Sequence, residues 1–144
     1  MPKPAILLIA IMSALPVAAQ GTLPAVATET AAPQPTLDEL RWVGRPLVVF
    51  ADTPEDPRFI QQMRMLEADP EPLVDRNVVV LSDAEPEANG PLRQALRPRD
   101  FGLVLVDIDG TVAQRRPFPT TVREIVNMID RMPSRREESG SRRP

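Results

Sequence analysis

Apolar residues occur in short runs along the chain, and polar, proline-rich segments separate the runs. Two runs, 46–51 and 77–81, are almost continuously apolar, which favours strands buried on both faces of a sheet. Two further strand-like runs, 103–106 and 111–115, flank an Asp-Gly pair. An Asp-Gly pair in that position predicts an antiparallel hairpin. The pattern therefore predicts four strands.

The other apolar positions recur at helical spacing and predict helices over 36–42, 57–68, 91–96 and 121–132. Asp56 is the expected N-cap of the second helix, and Pro57 suits its first turn. Thr121 and Glu124 predict a capping box at the start of the last helix. Pro133 is expected to end that helix.

The predicted elements follow the order β-α-β-α-β-β-α after the N-terminal helix. Two buried strands joined through a helix favour a parallel pair with a right-handed crossover. The last two strands form a hairpin, and a helix closes the domain. This is the order of the thioredoxin fold. We therefore expect an α/β, thioredoxin-like domain with a four-stranded mixed sheet flanked by helices.

The two ends of the chain differ from this central part. Residues 1–19 combine a basic start, an apolar run and small residues before a cleavage position after Ala19, which predicts a secretory signal peptide. An uncleaved anchor is the alternative, but the run is short for a membrane span. Residues 20–35 predict a flexible linker, 36–133 the domain, and 134–144 a disordered polar tail.

A signal peptide places the mature chain in the periplasm or the medium, and composition limits its chemistry there. The chain has no cysteine and no histidine, which excludes a redox dithiol and removes the commonest metal ligands. We therefore expect no metal and no cofactor. The net charge is −3 and the only lysine, Lys3, lies in the leader. We expect no nucleic-acid partner and no permanent membrane span in the mature chain.

The segment after the first strand is the main candidate binding site. Thr53, Glu55, Asp56 and Arg58 lie at a predicted helix N-terminus. Backbone donors and the Arg58 guanidinium could hold an anion or a peptide carbonyl there. The alternative is turn and capping chemistry, with Asp56 capping its own helix.

Other charged and aromatic residues offer weaker candidates. Arg115–Arg116 and Arg135–Arg136 could form a basic patch for a carboxylate-bearing partner. The alternative is a solvated surface of mixed charge, because Glu137 and Asp130 are close in sequence. Trp42 is the only tryptophan, and we expect it to pack the N-terminal helix onto the sheet rather than to act as an exposed docking anchor.

Residues 103–111 resemble the opening motif of haloacid-dehalogenase-type phosphatases. In those enzymes the first aspartate, matching Asp107, attacks phosphorus, and the second, matching Asp109, is the acid–base group beside magnesium. The part of the chain after Thr111 has no lysine and none of the later motifs. An Asp-rich hairpin turn is the alternative interpretation. A calcium loop is excluded because no acidic ligand follows Gly110 at the required spacing.

An ordered set of short motifs resembles the bacterial domain-of-unknown-function family 4174, the prokaryotic relative of a domain in some animal extracellular-matrix proteins. The resemblance covers about residues 36–138. The motifs are Leu37–Trp42, Arg45–Ala51, Asp56–Arg58, Asp75–Arg76 before Val78–Val80, Leu92–Arg93, Asp109–Gly110, and Ile129–Pro133 followed by Arg135, Arg136 and Glu137.

The resemblance implies a thioredoxin-like fold and supplies no reaction, because the activity of the family is not established. Thioredoxins carry a Cys-x-x-Cys pair after the first core strand, where this chain has the sulfur-free loop Asp52–Asp56. Gly102 stands where thioredoxins place a cis-proline, and we include it among the candidate binding residues.

Three hypotheses follow for the function. The first is a non-redox periplasmic module that binds a protein or peptide of the envelope. The second is an enzyme with a carboxylate site, built from Asp107 and Asp109 or from the Glu55–Arg58 loop. The third is a structural or stress-associated envelope protein. The enzyme hypothesis requires these carboxylates to converge in a cleft.

Removal of residues 2–19 is expected to keep the protein in the cytoplasm, because the export signal is then missing. Immunodetection in periplasmic and cytoplasmic fractions checks this, with the full chain as the reference. The periplasmic form of the full chain is expected to begin at Gln20. An equal distribution of the two proteins between the fractions contradicts the prediction.

Overall fold

The structure is a computed structural model and describes residues 34–141 of the chain. The predicted signal peptide and most of the predicted linker lie outside the described residues. The strands are Arg45–Phe50 (β1), Val78–Asp83 (β2), Gly102–Val106 (β3) and Val112–Arg116 (β4). The helices are Leu37–Leu40 (α1), Pro57–Ala68 (α2), Glu71–Val74 (α3), Pro91–Leu96 (α4), Val122–Asp130 (α5) and Pro133–Gly140 (α6).

The four strands form one mixed sheet in the order β2-β1-β3-β4. β1 and β2 are parallel, and Leu47 lies beside Val80 in their register. β3 runs antiparallel to both of its neighbours, β1 and β4. The predicted parallel pair and the predicted hairpin are both confirmed. A short helix, α3, and a 3-10 turn at Pro86–Ala88 occupy segments for which the sequence predicts no element.

Strand β1 is the centre of the domain, and every residue in it is buried. Its side chains alternate between two apolar clusters on opposite faces of the sheet. Leu47 and Val49 pack under α2, α3 and α5, and Val48 and Phe50 pack under α1 and α4. The continuous apolar sequence of residues 46–50 fits this position, because both faces of the strand are covered.

Local capping rules account for the N-termini of three helices. Thr36 and Glu39 form a capping box on α1, and Thr121 and Glu124 form the predicted one on α5. The Asp56 carboxylate accepts a hydrogen bond from the Arg58 backbone N–H, as expected for the N-cap of α2. Among the described residues, no helix is long and apolar enough to cross a membrane.

The sequence predicts that Pro133 ends the last helix and that a disordered tail follows, and the structure corrects both expectations. Helix α5 ends at Asp130, and Pro133 begins a further helix, α6. Proline suits this position because the first helical residue needs no backbone N–H. The expected tail is therefore helical as far as Gly140.

A buried arginine holds α6 against the domain. The Arg45 side chain is fully buried, and its guanidinium lies 2.7 Å from Glu138 Oε1 and 3.3 Å from Asp107 Oδ1. It also donates to Ser134 Oγ (3.1 Å) and to the Arg76 carbonyl (3.0 Å). Because an unpaired buried charge is costly, these partners are needed together.

The sequence predicts that Trp42 packs the N-terminal helix onto the sheet, and this prediction is wrong. Its side chain is 70% exposed, and its backbone adopts a left-handed conformation with φ of 64°. The Trp42 N–H donates to the Ile108 carbonyl at 2.7 Å, which fixes the backbone there. Leu37 and Leu40 alone join α1 to the core, and the indole faces solvent.

Replacement of Glu138 by alanine is expected to lower the free energy of unfolding by about 2 kcal/mol, because buried Arg45 loses its shortest ion pair. Urea denaturation measures this change. Glu137→Ala is the control, since Glu137 is an exposed neighbour on the same helix and a loss of equal size there would contradict the proposed role of Glu138.

The stabilising effect of Glu138 depends on pH. Burial raises the pKa of this carboxyl, but hydrogen bonds from Arg45 and Arg135 outweigh burial and hold the pKa below its ordinary 4.5. Its contribution is therefore complete above that value and is lost as the pH falls through the lower folded-state pKa. The stability difference between the wild type and Glu138→Ala is expected to shrink in acid.

Candidate functional site

The predicted loop site lies at the carboxyl end of β1, and its polar groups bond to one another. The Thr53 hydroxyl donates to the Glu55 carboxylate and accepts from the Glu55 backbone N–H. Arg58 Nη2 lies 2.7 Å from Asp56 Oδ2 and 2.8 Å from Asp100 Oδ1. The structure thus brings the four predicted residues close together and adds Asp100.

Arg58 is neutralised by two carboxylates. Its hydrogen bonds lower the pKa of both Asp56 and Asp100, and those carboxylates in turn raise the pKa of Arg58. The guanidinium also lies 5.3 Å from the centre of the buried Phe101 ring. This geometry favours the capping alternative, because an incoming anion would have to displace carboxylates that already hold Arg58.

Asp107 and Asp109 occupy the turn between β3 and β4, at the opposite end of β1 from the loop. Asp107 Oδ1 accepts from Arg45, from Ser134 Oγ (2.7 Å) and from the Ile108 N–H (2.7 Å). Asp109 accepts from the Thr111 side chain and backbone, which lowers the pKa of Asp109. Each carboxylate therefore has a local structural role.

The two sets of candidate carboxylates do not form one site. Glu55 and Asp56 follow the carboxyl end of β1, whereas Asp107 lies beside its first residue, Arg45. Within residues 34–141 no group of three or more acidic side chains could hold a metal ion. The convergence that the enzyme hypothesis requires is not found in this part of the chain.

The remaining predicted residues lie in other parts of the fold. Gly102 begins β3 opposite Phe50, and no cis peptide bond occurs in the described chain. Arg135 lies 3.2 Å from Glu138 and 3.9 Å from Asp130, so two carboxylates already neutralise it. Arg136 is exposed on α6.

A groove of about 570 Å³ opens where the parallel strands β1 and β2 end. We call it the carboxyl-end groove. Its lining is mainly apolar and contains two acidic residues but no basic one. The lining residues are Gln34, Pro35, Thr36, Pro54, Phe59, Ser82, Asp83, Ala84, Glu85, Ala88, Gly90, Pro91 and Leu92.

Arg93 fixes one wall of this groove. The residue is buried, and its guanidinium donates to the Ala51 carbonyl (2.6 Å), the Asp83 carbonyl (3.1 Å) and the Asp83 carboxylate (2.9 Å). It also lies 5.5 Å from the centre of the Phe50 ring. Arg93 therefore ties α4 to the ends of β1 and β2, and sets the position of Pro91 and Leu92.

Gln34 lines the groove and bonds to Ser82, another lining residue. Its side-chain amide donates to the Ser82 carbonyl at 2.9 Å and accepts from the Ser82 N–H at 3.2 Å. A side-chain amide has the same donor and acceptor as a peptide group. Gln34 thus binds the edge of β2 as a neighbouring strand would. The sequence analysis missed this contact because it assigned Gln34 to a linker.

Comparison with known proteins identifies the family. The model of a domain of unknown function, DUF4174, matches residues 36–138, which is more than half of the chain. The chain belongs to the DUF4174 family. No curated protein matches it.

Two solved structures share the fold of this DUF4174 domain. Reduced 2-Cys peroxiredoxin from Plasmodium vivax is 14% identical with a TM-score of 0.56, over 72% of this chain and 84% of its own. The Plasmodium yoelii Prx1a, modified at its N-terminus, is 16% identical with a TM-score of 0.54, over 75% and 83%. The expected thioredoxin-like fold is confirmed, while cysteine is absent from this chain.

Asp107→Asn is expected to lower the free energy of unfolding by about 2 kcal/mol, because the hydrogen bond from buried Arg45 loses its charged acceptor. Asp109→Asn is the control and is expected to have a smaller effect, since the Asp109 carboxylate hydrogen-bonds only within its own turn. Urea denaturation measures both changes.

The same variants test the phosphatase resemblance. Hydrolysis of p-nitrophenyl phosphate with magnesium is expected to stay at the buffer background for the wild type and for both variants. Magnesium-dependent turnover that is present in the wild type and lost in folded Asp107→Asn would establish the enzyme hypothesis instead.

Proposed function

We propose that this protein is an exported, non-redox binding module that holds a segment of another protein in the carboxyl-end groove. The observation that carries the proposal is the groove itself, an apolar depression of about 570 Å³ at the carboxyl ends of two parallel strands. Ligands of open α/β sheets commonly bind at this end of the strands.

The chemistry of the groove supports binding more than catalysis. Pro35, Pro54, Phe59, Pro91 and Leu92 give it an apolar surface, with a few polar groups at the rim. Binding sites combine these two features. The acidic residues in the lining are Asp83, which is paired with Arg93, and Glu85, which is exposed.

A protein segment suits this groove better than a compact small molecule. Ser82 of the edge strand β2 lines the groove, and its backbone already binds the side-chain amide of Gln34. A peptide can supply both the apolar side chains for the depression and the amide groups for that backbone. Because the chain has no cysteine, thiol exchange is excluded, and binding of a partner is the proposed role of this fold.

The proposed location is the periplasm, reached through the predicted signal peptide. A cysteine-free chain folds there without a disulfide, so its stability depends on the two apolar clusters and the buried ion pairs. The predicted partner is therefore a protein or peptide of the periplasm or envelope.

Selection from a displayed library of random linear peptides tests the proposal, with the full mature protein immobilised. We expect enriched peptides that bind the wild type and lose binding to Ala88→Arg, which places a bulky cation in the groove. Ala68→Arg is the matched control, because Ala68 is an exposed helical alanine outside the groove lining. Failure to enrich any peptide, or equal loss in both variants, would overturn the proposal.

A further inference from the structure

Strand β2 lies at one edge of the sheet, and its outward backbone groups can be assigned from the pairing. The Arg45 N–H donates to the Asn77 carbonyl and the Ala51 N–H donates to the Asp83 carbonyl. Because backbone groups alternate along a strand, residues 77, 79, 81 and 83 face β1. Val78, Val80 and Ser82 therefore present their N–H and C=O groups at the open edge.

These outward groups are only partly used. Gln34 occupies both main-chain groups of Ser82. Within residues 34–141, no other group hydrogen-bonds to the outward N–H or C=O of Val78 or Val80. Among the described residues, the edge therefore has two positions without a partner, next to one that already binds a peptide-like amide.

The two edges of the sheet differ in protection. The opposite edge strand, β4, carries Arg115 and Arg116 and is followed by Pro117, which are features that discourage strand pairing. Strand β2 has the sequence Val-Val-Val-Leu-Ser-Asp, with no basic residue and no proline. Within residues 34–141, an edge that is apolar and unpaired at Val78 and Val80 is a template for another strand.

We propose that the ligand of the carboxyl-end groove is an extended peptide that adds to β2 as a fifth strand and displaces Gln34 from Ser82. This inference rests on the proposed function and specifies the partner. The peptide pairs with the outward groups of Val78, Val80 and Ser82 and places an apolar side chain in the groove. Because the lining contains Glu85 and no basic residue, a cationic side chain beside the apolar one fits best.

Hydrogen exchange measured residue by residue by NMR tests the pairing, with a peptide selected from the library as the probe. In the unbound protein the amides of Val78 and Val80 are expected to exchange rapidly. Bound peptide is expected to slow both by at least about tenfold, because a paired amide exchanges only on opening. The amides of Val79 and Leu81 face β1 and serve as internal controls, protected in both states.

Replacement of Gln34 tests the displacement. Gln34→Ala is expected to tighten peptide binding about threefold to tenfold, since the peptide no longer breaks two hydrogen bonds. Gln114→Ala is the matched control, because Gln114 is an exposed glutamine on the other edge strand.

N-methylation of the peptide at alternate residues is expected to abolish binding in one register and to spare it in the other.

The possible failures separate the two proposals. If no peptide is enriched, the proposed function fails and the fifth strand fails with it. If peptides bind and Ala88→Arg blocks them, but Val78 and Val80 stay unprotected or Gln34→Ala behaves like Gln114→Ala, only the fifth strand is overturned. Protection of Val78 and Val80 in the unbound protein identifies residues 20–33 or a second copy as the occupant and also overturns it.

Discussion

The buried guanidinium of Arg45 is the charge around which one end of this domain is organised. It stands at the start of the central strand, and its partners come from the β3–β4 turn, from α6 and from the backbone before β2. If any one of these segments detached, the charge of Arg45 would be exposed or would lose a partner. An unpaired charge is costly in a protein interior. The arrangement explains why a polar C-terminal segment with no buried residue is helical and attached to the domain.

Most of the fold follows from local rules that a sequence displays. The apolar runs at β1 and β2 and the Asp-Gly turn at residues 109–110 predict the sheet, and Thr121 with Glu124 predicts the start of α5. The ends are less predictable, because Pro133 can either end a helix or begin one. The choice depends on Glu138 reaching Arg45, and a contact between residues so far apart in the chain has no local signature.

The candidate site was predicted only in its position. The sequence indicates the end of β1, because turn residues and a helix cap follow that strand there. It does not show that Arg58 is neutralised by Asp100, which is distant in the chain. Nor does it show the carboxyl-end groove, one wall of which Arg93 fixes through the carbonyls of Ala51, just after β1, and of Asp83 in β2. A charged residue that follows a leucine in a short helix resembles any exposed helical arginine until its partners are known.

The exposed position of Trp42 has a practical consequence for spectroscopy. As the only indole in the chain, it provides the tryptophan emission of the whole protein. Because its ring already faces solvent in the folded state, that emission reports on the surface beside Ile108 rather than on the apolar clusters. A shift in its emission wavelength, or a change in its quenching, when another molecule is added would indicate contact at this surface, away from the carboxyl-end groove. Disruption of the apolar clusters would change the emission little.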